Sequence, residues 1–344
     1  MSRIYDLKCS GMTAPSAVDS IPRFSWKYEL PDGYQAAYRL TVSETGTERL
    51  VWDTGYTEST RNINVAYNGR PLEPLASYTW SVISYDESGN SAKADSEFTT
   101  GFLGRPWEGK WISACFHRKP DESKDSPYIR KSFQICNKHI DAKLYICSPG
   151  YHDAYINGKK VGNDVLQTPY TAFDRTLYYS TYEITSMIAE GDNAVGFMIG
   201  TGWYNCFTKD VWNTPETSWR HIPKVIAEIH CTYEDGSVEV IATDSSWRCE
   251  KSPVTFNGIR NGEFYDARLE IDGWAEADYN DSMWSPVKTT RPPGGTLRAM
   301  EMEPERIVDS WEPGSSWKTP ENNWVFASDV NMAGFSEITV SGQK

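Results

Sequence analysis

The amino-acid sequence predicts an all-β protein, and three observations predict it. Apolar and polar side chains alternate with period two in many short segments, which is the pattern of strands with one buried face. Tight-turn signals are frequent, including Asn-Gly pairs at 68–69, 157–158, 257–258 and 261–262. No segment keeps a helical period for more than about three turns. Because many short strands and frequent turns are typical of packed sheets, we expect β-sandwiches.

The clearest strand pair is predicted around residue 234. Alternate apolar side chains occupy residues 225–233 and again residues 238–242. The turn between them, Glu234-Asp235-Gly236-Ser237, contains a glycine that can adopt positive φ. The same alternation predicts strands at 38–42 and 78–82.

The spacing of these segments predicts three modules. Residues 1–103 have the length and strand density of an immunoglobulin-like or fibronectin-type sandwich. Residues 104–290 form a second, larger all-β unit. Residues 291–344 are too few for an independent sandwich, so they are expected to begin a third, incomplete β-module. Within it, strands are predicted at 324–327 and 336–340.

Composition excludes several classes of protein. The net charge is −13 and no Lys/Arg cluster occurs, so nucleic acid is not an expected partner. No uncharged apolar run approaches the ~18 residues of a membrane span. The 14 tryptophans argue against a disordered chain. No secretion signal is visible, which gives a cytoplasmic location by default and a periplasmic or secreted one if a leader has been removed.

The seven cysteines are odd in number, widely spaced and without a C-x-x-C pair. This pattern argues against a disulfide framework and against a zinc site, and it favours reduced thiols. The sequence also contains none of the common hydrolase, phosphate-loop or dinucleotide motifs. It predicts no catalytic residue.

Aromatic residues near predicted turns suggest a carbohydrate-binding surface. Trp203 and Tyr204 follow Gly200-Thr201-Gly202, and Tyr170, Trp212 and Trp219 also lie near turn residues. Ring faces suit the C–H edges of sugars. The alternative is that these rings close the ends of a sandwich core.

Polar residues beside the rings complete the hypothetical site. Asn205 and Asp210 follow the Trp203-Tyr204 pair, and Asn157 precedes Gly158 in a turn. If the three segments converge at one end of the sandwich, these side chains meet sugar hydroxyls. A single small sugar would bind near 1 mM, about −4 kcal/mol. For Asn157, the alternative role is simply the first position of an Asn-Gly turn.

A second polar group is interpreted as structural. Glu263, Asp266 and Arg268 lie in the segment GEFYDAR (262–268). On a strand, Asp266 and Arg268 share a face and can pair. Glycosidases need two carboxylates, but Glu263 and Asp266 would point to opposite faces of a regular strand.

Ten short sequence segments, taken in their order along the chain, resemble segments of the bacterial α-L-rhamnosidases. They are PRFSW (22–26), QAAYRLTV (35–42), VWDTG (51–55), YTWSV (78–82), FTTG (98–101), KWI (110–112), YINGKKVG (155–162), GTGWY (200–204), GEFYDAR (262–268) and NMAG (331–334). The resemblance implies a modular glycoside hydrolase with a fibronectin-like domain, a jelly-roll-like domain, a further β-domain and an α-helical catalytic barrel. Its partners would be a rhamnose-containing glycan or glycoside and, for this chain, the barrel of the parent enzyme.

The family's catalytic carboxylates lie in the barrel, which this chain lacks. The resemblance therefore implies the N-terminal, non-catalytic portion of an enzyme that hydrolyses terminal α-L-rhamnosides with inversion. Two alternatives stay open: a free-standing L-rhamnose-binding protein and a structural adaptor. In some members the second module binds L-rhamnose through calcium, and an Asp-Asn pair there falls on Ile156-Asn157 here. We expect no required cofactor. The missing acid argues against calcium, which prefers carboxylate and carbonyl oxygens, but calcium stays open as an alternative.

Overall fold

A computed structural model describes residues 2–31, 33–47 and 49–339. Within these ranges the chain is nearly all β, as predicted, with 25 strands and four short 3₁₀ helices. The helices cover Pro120–Glu122, Thr185–Met187, Thr214–Glu216 and Ala267–Leu269.

The first unit is a sandwich of eight strands. They are β1 (Arg3–Cys9), β2 (Arg23–Glu29), β3 (Ala37–Glu44), β4 (Leu50–Asp53), β5 (Thr57–Glu58), β6 (Val65–Ala66), β7 (Ser77–Tyr85) and β8 (Ser91–Thr99). One sheet has the order β1-β2-β6, and the other has the order β4-β3-β7-β8 with β5 paired to β3. Trp26 and Trp80 are fully buried between them. The Trp26 indole donates to Gln35 Oε1 at 3.0 Å and to Ser84 Oγ at 3.1 Å, so this buried N–H is paired.

The second unit contains fifteen strands. They are β9 (Ile112–Ser113), β10 (Tyr128–Ile135), β11 (His139–Cys147), β12 (His152–Ile156), β13 (Lys159–Lys160), β14 (Thr176–Glu183), β15 (Gly191–Ile199), β16 (Ile226–Tyr233), β17 (Val238–Ala242), β18 (Arg248–Glu250), β19 (Val254–Gly258), β20 (Gly262–Tyr265), β21 (Ser285–Pro286), β22 (Lys288–Thr289) and β23 (Thr296–Ala299). A six-stranded sheet, β13-β12-β15-β10-β18-β21, packs on a five-stranded sheet, β17-β16-β11-β14-β23. Two further pairs, β9–β22 and β19–β20, flank them.

The five-stranded sheet is covered on both faces. Alternation predicted one buried face for β16, yet its first six residues are all buried. Ala227, Ile229 and Cys231 face the main core between the sheets. On the other face, the Glu228 carboxylate accepts from the Gly109 amide at 2.8 Å and lies 2.7 Å from His230 Nε2. The segment that links the two units therefore covers this outer face.

An aromatic junction joins the two units. Phe102 stacks on Trp107 with ring centroids 4.3 Å apart and meets the Tyr179 ring edge-on at 5.5 Å. Asp19 of the first unit accepts hydrogen bonds from the Leu103 amide (2.8 Å), the Tyr179 hydroxyl (2.8 Å) and the Ala299 amide (2.7 Å). The two sandwiches thus share a packed and hydrogen-bonded interface.

The structure changes the interpretation of the third module. β23 lies in the segment expected to begin a third module, yet it pairs in parallel with β14 and completes the five-stranded sheet. Downstream, the described residues form one hairpin, β24 (Ser315–Lys318) with β25 (Trp324–Ala327). The strand predicted at 336–340 is wrong for residues 336–339, which have no strand pairing, and Val340 lies outside the described residues.

Candidate carbohydrate-binding surface

Four aromatic rings and one arginine gather at one end of the second unit; we call them the aromatic surface (Tyr170, Trp203, Trp212, Trp219 and Arg260). The Tyr170 centroid lies 5.5 Å from that of Trp203 and 6.4 Å from that of Trp219. The Arg260 guanidinium lies 5.5 Å from the Trp203 centroid and 5.1 Å from that of Trp212. Tyr170 is 53% exposed and Trp212 is 70% exposed, so ring surface is open to a ligand.

The loop that carries Trp203 is held by short contacts. It follows β15, and the Gly200 amide donates to the Tyr151 carbonyl at 2.7 Å. Gly202 has φ +47°, and a Cβ there would lie 3.0 Å from Gly150 Cα, so only glycine suits this close approach. Asn257 on β19 accepts from both the amide (2.8 Å) and the hydroxyl (2.7 Å) of Thr201. Sequence reasoning missed Asn257, whose only signal was an Asn-Gly turn pair.

Asp210 shapes the adjacent loop and is not an open ligand group. Its side chain is only 3% exposed. It accepts from the Trp212 amide (3.0 Å) and the Thr214 hydroxyl (2.8 Å), and Arg260 lies 3.3 Å away. Burial would by itself raise the pKa of Asp210, but these hydrogen bonds and the arginine charge outweigh it and lower the pKa. The ionised Asp210 carboxylate therefore fixes the loop that carries Trp212 and holds the Arg260 side chain beside it.

Tyr204 and Asn205 lie beneath the aromatic surface. Tyr204 is 1% exposed and packs edge-on against Phe173 at 5.5 Å. Asn205 is fully buried and donates to the Pro120 carbonyl (2.9 Å) and the Ser123 carbonyl (3.0 Å). Both side chains support the loop and cannot touch a sugar at the surface, contrary to the sequence-based hypothesis.

Asn157 lies at the opposite end of the six-stranded sheet. Strand β12 begins at His152, beside the end of β15 from which the Trp203 loop departs, and it runs away from that loop to Ile156. The Asn157 amide donates to the Met187 carbonyl (2.9 Å) and to Asn193 Oδ1 (2.8 Å), and its Oδ1 accepts from the Ala194 amide (2.8 Å). The predicted convergence of Asn157 with Trp203 is wrong, because Asn157 ties its own turn, at φ +49°, to β15.

Asp266 and Arg268 form the predicted pair in a turn just after β20. The guanidinium donates to both carboxylate oxygens, at 2.8 and 2.6 Å, and the Arg268 amide donates at 3.1 Å. Arg268 therefore holds the pKa of Asp266 at about 2. Glu263 is exposed on β20 and takes no part in the pair. The Asp266–Arg268 pair is therefore structural, and it lies at the start of a 3₁₀ helix.

Residues 2–31, 33–47 and 49–339 contain no group of three or more His, Cys, Asp or Glu side chains that could hold a metal ion. No helix within those same ranges has the length and apolar character needed to cross a membrane.

Comparisons with known proteins assign the two units. Residues 4–104 match the Rha78A-like N-terminal immunoglobulin domain, and residues 137–309 match the alpha-L-rhamnosidase N-terminal domain. The second match extends to residue 309, past the boundary expected at residue 290.

Full-length relatives agree. An alpha-L-rhamnosidase of Formosa agariphila is 29% identical and aligns with 95% of this chain and 38% of its own length. One of Alteromonas sp. (strain LOR) is 30% identical over 93% of this chain and 36% of its own length. The solved alpha-L-rhamnosidase of Dictyoglumus thermophilum is 32% identical with a TM-score of 0.83, over 92% of this chain and 37% of its own. This chain, which spans little more than a third of these relatives, belongs to the alpha-L-rhamnosidase family and contains its immunoglobulin-like and N-terminal domains.

Proposed function

We propose that this chain supports a catalytic module that hydrolyses terminal α-L-rhamnosides with inversion, and that it performs no hydrolysis itself. The observation that carries the proposal is the match of both domains to the N-terminal modules of enzymes more than twice as long. The test is release of 4-nitrophenol from 4-nitrophenyl α-L-rhamnoside by the 344-residue chain. We expect a rate equal to the enzyme-free blank, and a rate above it that follows the protein through purification would overturn the proposal.

The segment after β23 supports docking of that module. Large apolar side chains there are exposed: Ile307, Val308, Trp311, Trp317, Trp324, Phe326, Phe335 and Ile338. An apolar stretch of this extent is typical of an interaction surface. The proposed occupant is the catalytic module of the parent enzyme.

We propose carbohydrate binding as a second function, because the aromatic surface exposes ring faces beside a fixed guanidinium. The probe is L-rhamnose, titrated with and without calcium while intrinsic fluorescence is recorded. Saturable binding near 1 mM is expected. Trp212→Ala should weaken it by about five- to thirtyfold, since loss of one stacking face removes roughly 1–2 kcal/mol.

Trp317→Ala is the matched control. Trp317 is also exposed, at 49%, but lies on the β24–β25 hairpin, outside the aromatic surface. The affinity of the Trp317→Ala variant for L-rhamnose should equal that of the unmodified chain. No saturable change below about 20 mM, a concentration twentyfold above the expected constant, would end the binding proposal. Equal affinity in Trp212→Ala and Trp317→Ala would move the site elsewhere.

A further inference from the structure

Two of the seven free cysteines lie side by side. Cys115 Sγ and Cys249 Sγ are 3.9 Å apart, and the Cys115 amide donates to Cys249 Sγ at 3.4 Å. This separation is van der Waals contact between two thiols, so a disulfide at about 2.05 Å requires only a short closing movement. The segments involved are more than a hundred residues apart in the chain.

The two sulfurs differ in access. Cys249 is fully buried on β18, where its Sγ also lies 3.8 Å from the Pro286 carbonyl oxygen. Burial raises the pKa of Cys249 to about 12. Cys115, in the loop after β9, is half-buried and can be reached from solvent.

We propose that Cys115 and Cys249 form a reversible intramolecular disulfide on exposure to a peroxide. The Cys115 thiolate attacks one oxygen of hydrogen peroxide, the O–O bond breaks, and the departing hydroxide takes a proton to become water. Cys249 then attacks the sulfur of the resulting sulfenic acid. The S–S bond forms, the second hydroxide leaves, and the Cys249 proton converts it to water. Two thiols lose two electrons and one peroxide is reduced.

The cross-link would tie the Cys115 loop to the six-stranded sheet. The closed loop contains β10 to β17, which include strands of both sheets of the second unit. Closing a loop of this length restricts the unfolded chain strongly, by an amount that grows slowly with loop length. Oxidation should therefore stabilise the second unit.

The experiment uses the whole chain and a matched cysteine control. Cys136 is exposed, so Cys136→Ser removes the thiol most open to unrelated oxidation. In this background, stoichiometric hydrogen peroxide should lower the number of free thiols by two per chain. Dithiothreitol should restore both, and mass spectrometry without reduction should find one peptide pair joining residues 115 and 249. The melting temperature should rise by at least about 5 °C.

Two further variants decide the assignment. Cys115→Ser and Cys249→Ala, each in the Cys136→Ser background, should form no cross-link and show no rise in melting temperature under the same treatment. A disulfide between any other pair would overturn the proposal, and so would stable oxidation of Cys115 to its sulfinic acid without a cross-link. Mass spectra of the chain without these two substitutions reveal both outcomes, so the test does not depend on whether a variant folds.

Discussion

The replacement Asp19→Ala tests whether the two sandwiches are joined into one stable body. The Asp19 carboxylate accepts from the Leu103 and Ala299 amides and from the Tyr179 hydroxyl. Alanine leaves these three donors without their acceptor. A hydrogen bond to a charged group is worth about 1.5–3 kcal/mol. Because Asp19 is only half-buried and water can replace part of the lost hydrogen bonding, the lower value applies to each bond and the total is about 4.5 kcal/mol.

Urea unfolding measures this loss when it is followed by tryptophan fluorescence and by circular dichroism. We expect a lower midpoint and a separation of the two probes, since the first unit then unfolds apart from the second. Asp95→Ala is the control, because Asp95 is 52% exposed and pairs with Lys93 at 3.2 Å on the surface. That change should cost no more than about 1 kcal/mol. An Asp19→Ala curve that overlies the Asp95→Ala curve would refute the reasoning.

Three further predictions concern buried groups. Burial lowers the pKa of His152 to about 4, and neither ring nitrogen has a partner in the described ranges. As the pH falls, His152 is therefore protonated in the unfolded chain before it is protonated in the folded one. The free energy of unfolding should fall by about 3 kcal/mol from pH 6.5 to 4. His152→Leu should remove this fall and His139→Gln should keep it, as unfolding curves at each pH will show. Burial also lowers the pKa of Lys224 to about 8, so stability should rise between pH 8 and 10.5, and Lys224→Met should abolish that rise. Gly196→Ala should lower stability by about 1–3 kcal/mol in a thermal melt, because its Cβ would lie 2.5 Å from the Trp274 ring; an unchanged melting temperature would contradict this.

Local patterns in the sequence predicted local structure well. The alternation at 225–233 and 238–242 corresponds to β16 and β17, and Gly236 in the turn between them has φ +82°. Side chains two apart share a face wherever a strand forms, so alternation of this kind needs no knowledge of the rest of the chain. The fold class followed from the same argument.

Features that depend on distant segments were not predictable. β23 joins the five-stranded sheet by parallel pairing with β14, more than a hundred residues earlier. No local pattern distinguishes such a strand from the start of a new module. Arg260 likewise reaches Trp203 and Trp212 from the β19–β20 turn. The sequence identified the rings but not the cation that lies over them.

The error over Asn157 sets a limit on any sugar site. Asn157 was correctly placed in a turn, but the direction of β12 decides which end of the sheet that turn occupies. Five strand residues at about 3.3 Å each separate Asn157 from the Trp203 end by roughly 17 Å, which is more than a monosaccharide spans. One monosaccharide therefore cannot contact both. A sugar on the aromatic surface must find its polar partners among nearby groups, and Arg260, held by Asp210 between two indoles, is the charged group already placed there.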